Sequence, residues 1–404
     1  MTLLNRIIIM ITAWAVTLSA KAQSSYRGDI ATPVDSTATI SLLTVAPGCE
    51  IYELEGHTGL RIRTASDDMV ANWGLFDFSA PNFVYRFVKG ETDYCVGLWP
   101  YGYFMALYRE ENRRVTEQVL DLTPEETAHV ISLVNDNLRK ENRIYRYNYV
   151  LDNCATRPLA IIEKAAGDSI RFSIPEAMDE NATSFRNVMR IYHRNYPWYQ
   201  FGIDLALGSG IDRQISVRET GFAPVVLEKI AAAATIGNDR PLVKSETVLF
   251  NAPENGTVKA PTPCCLTPMA IFCALAAICL IYAIRAARRK SICPWINIIV
   301  YSILGLNGLV LTFLIFISSH EATSPNWNYL WINPSCLLVP VLIRIPSAKR
   351  FLRGYMSINI CLMALYFIIV LFGIQSPNPA FYPILLADLI LSSSYLQITR
   401  DNNN

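Results

Sequence analysis

From Cys264 to the C-terminus the chain alternates long apolar runs with short breaks, and no other feature restricts its fold as strongly. A helix needs roughly 20 apolar residues to cross the hydrocarbon of a bilayer. Five runs approach that length: Leu266–Ile284, Pro294–Ile317, Tyr329–Ile345, Tyr355–Gly373 and Ala380–Gln397. The breaks after the first and third runs, RAARRK and RIPSAKRFLR, carry four basic residues each, whereas SSHEATSPNWN and QSPNPA carry none. By the positive-inside rule, breaks one and three and the C-terminal tail are cytoplasmic, and everything before Leu266 lies on the opposite face.

Charge divides the chain at the same place. The total of +1 hides +6 after Cys264, from nine Lys/Arg and three Asp/Glu, and −5 over residues 1–263. A soluble single-domain protein is excluded, and so is an electrostatic nucleic-acid binder, which needs a basic stripe on a folded surface. At the N-terminus Arg6 precedes the apolar run Ile7–Leu18 and the small-x-small triplet Ala20-Lys21-Ala22, which reads as a cleaved signal peptide or a retained anchor. Either outcome exports the segment that follows. The expected organisation is residues 1–22 as signal, 23–263 as an exported domain and 264–404 as a five-helix transmembrane domain.

Within 23–263 the stretches ATISLLTVAP, GLRIRTA and MVANWGLFDF read as strands, bounded by Gly, Pro or Asp. A helix is predicted from Thr123, with Pro124 at its first position and Glu125 and Glu126 in its first turn. A second helix is predicted over 155–166, after an extended stretch at Tyr145–Val150. Strands followed by helices define an α+β domain. The aromatics of Phe83–Tyr108 form either ordinary core or an apolar surface for lipid chains. Three of the ten cysteines, Cys49, Cys95 and Cys154, fall in this domain. Three is odd, and a Cys49–Cys95 disulfide leaving Cys154 free is one allowed solution.

Cys154 stands before a predicted helix, where unpaired backbone N–H groups and the helix dipole favour a thiolate, lowering its pKa. A nucleophile needs a base, and the domain offers His57, His129 and His193; His57 opens a strand among glycines. A buried structural thiol and a surface histidine are the plainer reading of the two residues taken singly. The four histidines are scattered and no CxxC occurs, so the sequence contains no metal motif.

Several long motifs in order change that balance: TVAPGCEIYELEGHTGLRI, NWGLFDFSAPNFVYRFVKGETDY, EENRRVTEQVLDLTPEE, ENRIYRYNYVLDNCATR, WYQFGIDLALGSGIDR and HEATSPNWNYLWINP. Together they resemble the Lnb-type lipoprotein N-acyltransferase family, whose exported domain is similar to a circularly permuted papain-like (NlpC/P60-like) cysteine fold. The resemblance implies Cys154 as nucleophile and His57, 97 positions earlier, as general base, with a thioester intermediate and no cofactor. It further implies a third residue that orients the imidazole, Asn72 first and Asp77 second, and an oxyanion donor, Tyr147 or Asn153. The implied acyl donor is a membrane phospholipid and the acceptor the N-terminal amine of a diacylated lipoprotein. The implied location is a bacterial inner membrane, with the catalytic domain in the periplasm. A cell-wall peptidase or amidase of NlpC/P60 type and a non-enzymatic membrane scaffold with a structural thiol are the alternatives.

Polar residues within membrane spans are costly and tend to mark function. Asp388 lies inside the last run, and Asn297, Asn307 and Asn359 within others. His320, Glu321, Asn326 and Asn328 fall in an expected exported break, where they either shape a head-group or amine site or form a solvated loop.

Overall fold

The computed structural model describes residues 38–77, 79–167, 169–176, 178–252 and 261–401. The expected signal segment, 1–22, lies outside them. The chain forms two compact units, residues 1–192 with 214–259, and residues 193–213 with 260–404. This differs from a single boundary at 263: the segment 193–213, counted with the exported domain by sequence, belongs with the apolar helices.

The first unit is built on strands β1 (Thr39–Val45), β2 (His57–Arg63), β3 (Asp68–Leu75), β4 (Asp93–Pro100), β5 (Val115–Leu120) and β6 (Ile144–Arg146). Short strands β7 (Ile170–Arg171), β8 (Thr235–Ile236) and β9 (Arg240–Pro241) form a separate sheet, and β10 (Val243–Phe250) joins the first. The seven-stranded sheet has the order β10-β5-β1-β2-β3-β4-β6, with every neighbouring pair antiparallel. Helices α1 (Phe83–Lys89), α2 (Tyr101–Glu110), α3 (Pro124–Leu138), α4 (Thr156–Ala165), α5 (Phe185–His193), α6 (Pro197–Ala206), α7 (Val217–Thr220) and α8 (Pro224–Ala232) fall between or after the strands. Helices are therefore interleaved with strands, and the last strand of the sheet follows α8.

The predicted strands and helices coincide with β1, β2, β3, α3 and α4 because their local signals agree with their packing. On β1, Leu43 and Val45 join Trp99, Phe104, Met105, Tyr108 and Val115 in a core under α2. Strand side chains alternate in direction, so the buried Leu42 and Thr44 face the other side. There α3, α4 and α8 pack on the sheet. Helix α3 starts with a complete capping box: the Thr123 hydroxyl accepts the Glu126 N–H and the Glu126 carboxylate accepts the Thr123 N–H at 2.7 Å. The aromatic stretch 83–108 splits, with Trp99, Phe104 and Tyr108 buried and α1 burying none of its residues.

The Cys49–Cys95 bond is not formed; Cys95 is a free thiol on β4. Cys49 lies in the connection from β1 to β2, and Cys95 on β4, with β3 between β2 and β4 in the sheet.

In the second unit, α9 (Pro268–Arg289), α10 (Pro294–Phe316), α12 (Lys349–Leu371) and α13 (Phe381–Asp401) run through the four segments long and apolar enough to cross a membrane among the described residues. The expected fifth, Tyr329–Ile345, is not one helix. It breaks into 3-10 turns at Trp327–Leu330 and Pro334–Leu337 and the short α11 (Leu338–Leu342). Pro334, Pro340 and Pro346 cannot donate a backbone hydrogen bond, and the Asn333 side chain takes the Ser335 N–H instead at 3.1 Å. The broken segment lies against α10 where Gly305 and Gly308 leave room; a Cβ at Gly308 would sit 2.3 Å from the Asn333 carbonyl carbon. Helix α6 also belongs here: its Phe201 stacks on Phe272 of α9 and meets Phe381 of α13, each at 5.2 Å between ring centres.

Candidate active site

β2 opens at His57, and β3 runs antiparallel beside it with Gly59 opposite Asn72. This register brings the His57 Nε2 to 2.6 Å from the Asn72 Oδ1. An amide oxygen only accepts, so the ring carries its proton on Nε2 and leaves Nδ1 as the basic nitrogen. Asn72 is buried, and its own Nδ2 has no hydrogen-bond partner. Burial is the largest influence on His57 and pushes its pKa down to about 4; the Asn72 bond opposes that, and the Arg113 charge adds to it. The Tyr108 ring lies 6.1 Å from the imidazole, with the Arg113 guanidinium 5.2 Å from the Tyr108 ring centre.

Cys154 is buried one residue before the start of α4's cap. Its sulfur accepts hydrogen bonds from the backbone N–H of Thr58, the residue after His57, and from the Tyr147 hydroxyl, and its own backbone N–H also favours the thiolate. The turn from β3 makes room for this: Gly74 has φ +85°, and a Cβ there would lie 3.4 Å from the Tyr147 ring and 3.6 Å from the Cys154 Cβ. The thiol does not behave as its place before a helix predicts. Burial dominates and pushes its pKa up to about 11, with the three donors only partly offsetting it. The first N–H groups of α4, from Ala155 and Thr156, are already taken by the Asn153 Oδ1 at 2.8 and 3.0 Å, which leaves the dipole little to give the sulfur. The resting pair is thus a thiol and a neutral imidazole.

The remaining expected residues separate clearly. Tyr147 is beside the sulfur, half-buried, and stacked on Tyr94 at 4.5 Å. Asn153 is adjacent in sequence, but its amide is committed: Nδ2 donates to the carbonyls of Tyr149 and Phe222 at 2.7 and 2.9 Å while Oδ1 caps α4. It has no N–H to offer an oxyanion. Asp77 accepts from the Ser79 N–H and hydroxyl at 2.8 and 2.7 Å in the loop after β3, while the partner of His57 is Asn72. Thr58 and Tyr108 were not singled out by sequence; a backbone N–H carries no residue signature, and Tyr108 is one tyrosine among 20.

In the second unit the two asparagines of the 318–328 break are structural. The Asn326 amide donates to the Leu205 and Ala206 carbonyls at 2.8 and 3.2 Å, and the Asn328 amide to Asp204 at 3.2 Å, so both satisfy the C-terminal carbonyls of α6. The Asn328 Oδ1 accepts the Tyr366 hydroxyl at 2.9 Å. A solvated loop is not what forms here, and these amides are not available to a head group. His320 lies in the same break, where its N–H donates to the Ser318 hydroxyl. Asp388 is fully buried, its Oδ1 accepting from Tyr301 at 2.6 Å and Asn359 at 2.8 Å, which joins α10, α12 and α13.

A sheet-containing domain with a Cys, His and Asn gathered at the ends of two strands, in one chain with membrane-length helices, defines a membrane protein with an exported domain. The chain matches the Lnb N-terminal periplasmic domain over residues 32–189 and the Lnb transmembrane domain over residues 260–402. It belongs to the Lnb-type family, with its N-terminal domain periplasmic. No curated protein and no solved structure matches it.

Proposed function

We propose that this protein is a lipoprotein N-acyltransferase of the periplasmic face of a bacterial inner membrane, working through Cys154, His57 and Asn72 without a cofactor. The observation that carries the reading is one constellation. His57 is held by Asn72 through Nε2, and the Cys154 sulfur accepts the N–H of the residue next to His57. A histidine strand preceding a cysteine helix also fits a permuted papain-like arrangement. Family membership supports a membrane protein that modifies lipoproteins.

In the first half-reaction His57 Nδ1 takes the thiol proton as the sulfur attacks the ester carbonyl of a phospholipid. The carbon–sulfur bond forms, the ester carbon–oxygen bond breaks, and the imidazolium returns its proton to the departing lysophospholipid oxygen. Tyr147 and the Cys154 N–H, both already aimed at the sulfur, are placed to receive the oxyanion. In the second, the α-amine of the lipidated cysteine attacks the thioester. The amide forms, the carbon–sulfur bond breaks, and the amine's proton passes through His57 to the thiolate.

The basic residues closing α9 and opening α12 support a cytoplasmic reading of both breaks, by the positive-inside rule. The broken segment 327–345 then returns the chain across the bilayer although it is not one helix, and the C-terminus is cytoplasmic. Mass spectrometry of lipoprotein N-termini tests the whole reading. In cells lacking other such enzymes, N-acylation should depend on this gene and be lost with Cys154→Ser. Full acylation with that variant overturns it, and cleavage of muropeptides instead of acyl transfer points to the peptidase.

A further inference from the structure

Helix α1 is unlike the other helices of the first unit, each of which buries at least one residue. Val84, Tyr85 and Phe87 stand 74%, 55% and 47% exposed on its seven residues, and none of the seven is buried. From it a row of rings leads inward: Phe87 to Phe83 at 5.9 Å, Phe83 to Phe76 at 5.7 Å, Phe76 to Tyr94 at 5.0 Å and Tyr94 to Tyr147 at 4.5 Å. The row ends at the Tyr147 hydroxyl, which donates to the Cys154 sulfur. Its four steps trace a path of the same order as the ~15 Å that one acyl chain occupies in a leaflet, half of the ~30 Å hydrocarbon core.

The surroundings of α1 are charged. Asp93 is shared by Arg86 and Arg146, at 2.8 and 2.9 Å, while Lys89 holds Glu91 at 2.7 Å. Asp77 lines the same small cavity as Phe83, Arg86 and Asp93, so three bases meet three acids beside an apolar tip. Exposed Phe and Val beside Arg and Lys side chains is an arrangement that seats an element in a phospholipid surface, hydrocarbon against the rings and headgroup against the bases.

We propose that α1 dips into the phospholipid surface and that the row from Phe87 to Tyr147 is the subsite along which the donor's acyl chain reaches Cys154. This rests on the acyl-transfer reading and names how its lipid substrate is held. It accounts for the exposure of α1 while the neighbouring Trp99, Phe104 and Tyr108 are core.

The test uses full-length protein with Cys154→Ala, reconstituted in phosphatidylethanolamine/phosphatidylglycerol vesicles that carry a phospholipid with a diazirine at the end of one acyl chain. After irradiation, label should fall on peptides holding Phe76–Tyr94 and Tyr147. The double variant Val84→Asp, Phe87→Asp should lower that label at least fivefold, and high salt should lower it further. Ile174→Asp, a substitution at an equally exposed apolar residue (74%) outside the row, should leave it unchanged. Label confined to residues 261–401, or label on the row that ignores the double variant, overturns the subsite. If label falls on the row as expected but protein with Cys154 intact forms no acyl thioester from the same vesicles, the transfer reading itself fails and the donor role with it.

Discussion

Replacing Asn72 by Ala separates orientation of the base from stability of the fold. The side chain does two opposite things. Its Oδ1 accepts the His57 Nε2–H at 2.6 Å, and its Nδ2 is a buried donor with no partner. Removing the acceptor leaves the N–H of a half-buried imidazole unpaired, a cost of up to about 1–3 kcal/mol. Removing Nδ2 relieves a penalty of the same kind and order, so stability should change by no more than about 1 kcal/mol. Catalysis has no such offset, because the ring loses the bond that fixes its tautomer. At 1.36 kcal/mol per factor of ten, acylation should slow roughly 5- to 150-fold. The pH profile supplies a second signature. His57 sits at about 4, with the Asn72 bond raising it against burial, so the variant's imidazole is less basic and the acid limb of kcat/KM should move below 4. Asn72→Asp should move it upward, toward neutrality, because a carboxylate stabilises the imidazolium. The assay is the rate of acyl-thioester formation on Cys154 from phospholipid vesicles, quenched and read by mass spectrometry, beside thermal unfolding in detergent. A rate within twofold of the parent, or a rate loss matched by a large fall in Tm with an unmoved acid limb, would refute the role given to Asn72.

Gly74→Val should abolish thioester formation, since φ of +85° excludes a β-branched residue and its side chain would enter the space beside Tyr147 and Cys154; an active variant would show that this turn does not shape the site. Asn153→Ala should instead lower the Tm of the exported unit, by about 2–4 kcal/mol of stability, through the lost cap of α4 and two orphaned carbonyls; a fully stable but inactive variant would return Asn153 to the chemistry. His57→Gln should flatten the acid dependence of stability. In the parent, the unfolded chain binds a proton near 6.5 that the folded chain refuses until about 4, so stability is full above 6.5 and falls, by up to about 3 kcal/mol, as pH drops through that window. Parallel unfolding curves for the two proteins would contradict the neutral buried imidazole. Gly308→Ala should impair folding of the membrane unit, because its Cβ would lie 2.3 Å from the Asn333 backbone; normal yield and Tm in detergent would argue against that contact.

Local signals in the sequence were read correctly where one interaction decides the outcome. Pro124, Glu125 and Glu126 after Thr123 mark the start of α3, and the short apolar or alternating stretches ATISLLTVAP and GLRIRTA mark β1 and β2. Long-range consequences were not legible. Apolar length alone made Tyr329–Ile345 a spanning helix, yet its prolines and the close approach to Gly305 and Gly308 break it. The motif WYQFGIDLALGSGIDR lies between exported segments, and nothing local shows that the carbonyls of α6 find their donors in Asn326 and Asn328, about 120 positions later. The same two asparagines, polar residues in a break, are compatible by sequence with a head-group site or a solvated loop, and their partners on α6 make them neither. For Cys154 the helix-start argument predicted a thiolate; burial has the opposite sign and is the larger influence.

A thiol near 11 opposite an imidazole near 4 is a poor ion pair and a serviceable general-base pair. Proton transfer between them is uphill in the resting enzyme, so on the proposed reading the thiolate forms only as the sulfur attacks, when Tyr147 and the backbone N–H groups can take up the developing charge. The same burial has a second use. On that reading a thioester waiting for a lipoprotein amine would be open to hydrolysis, because an imidazole that activates the thiol is equally able to activate water. Burial of Cys154 beside Tyr147, itself stacked on Tyr94, would limit that water. On the proposed reading the desolvation that depresses the basicity of His57 and raises the thiol is then the condition for transfer over hydrolysis, and a variant that exposed Cys154 to water should gain thioester hydrolysis as it loses aminolysis.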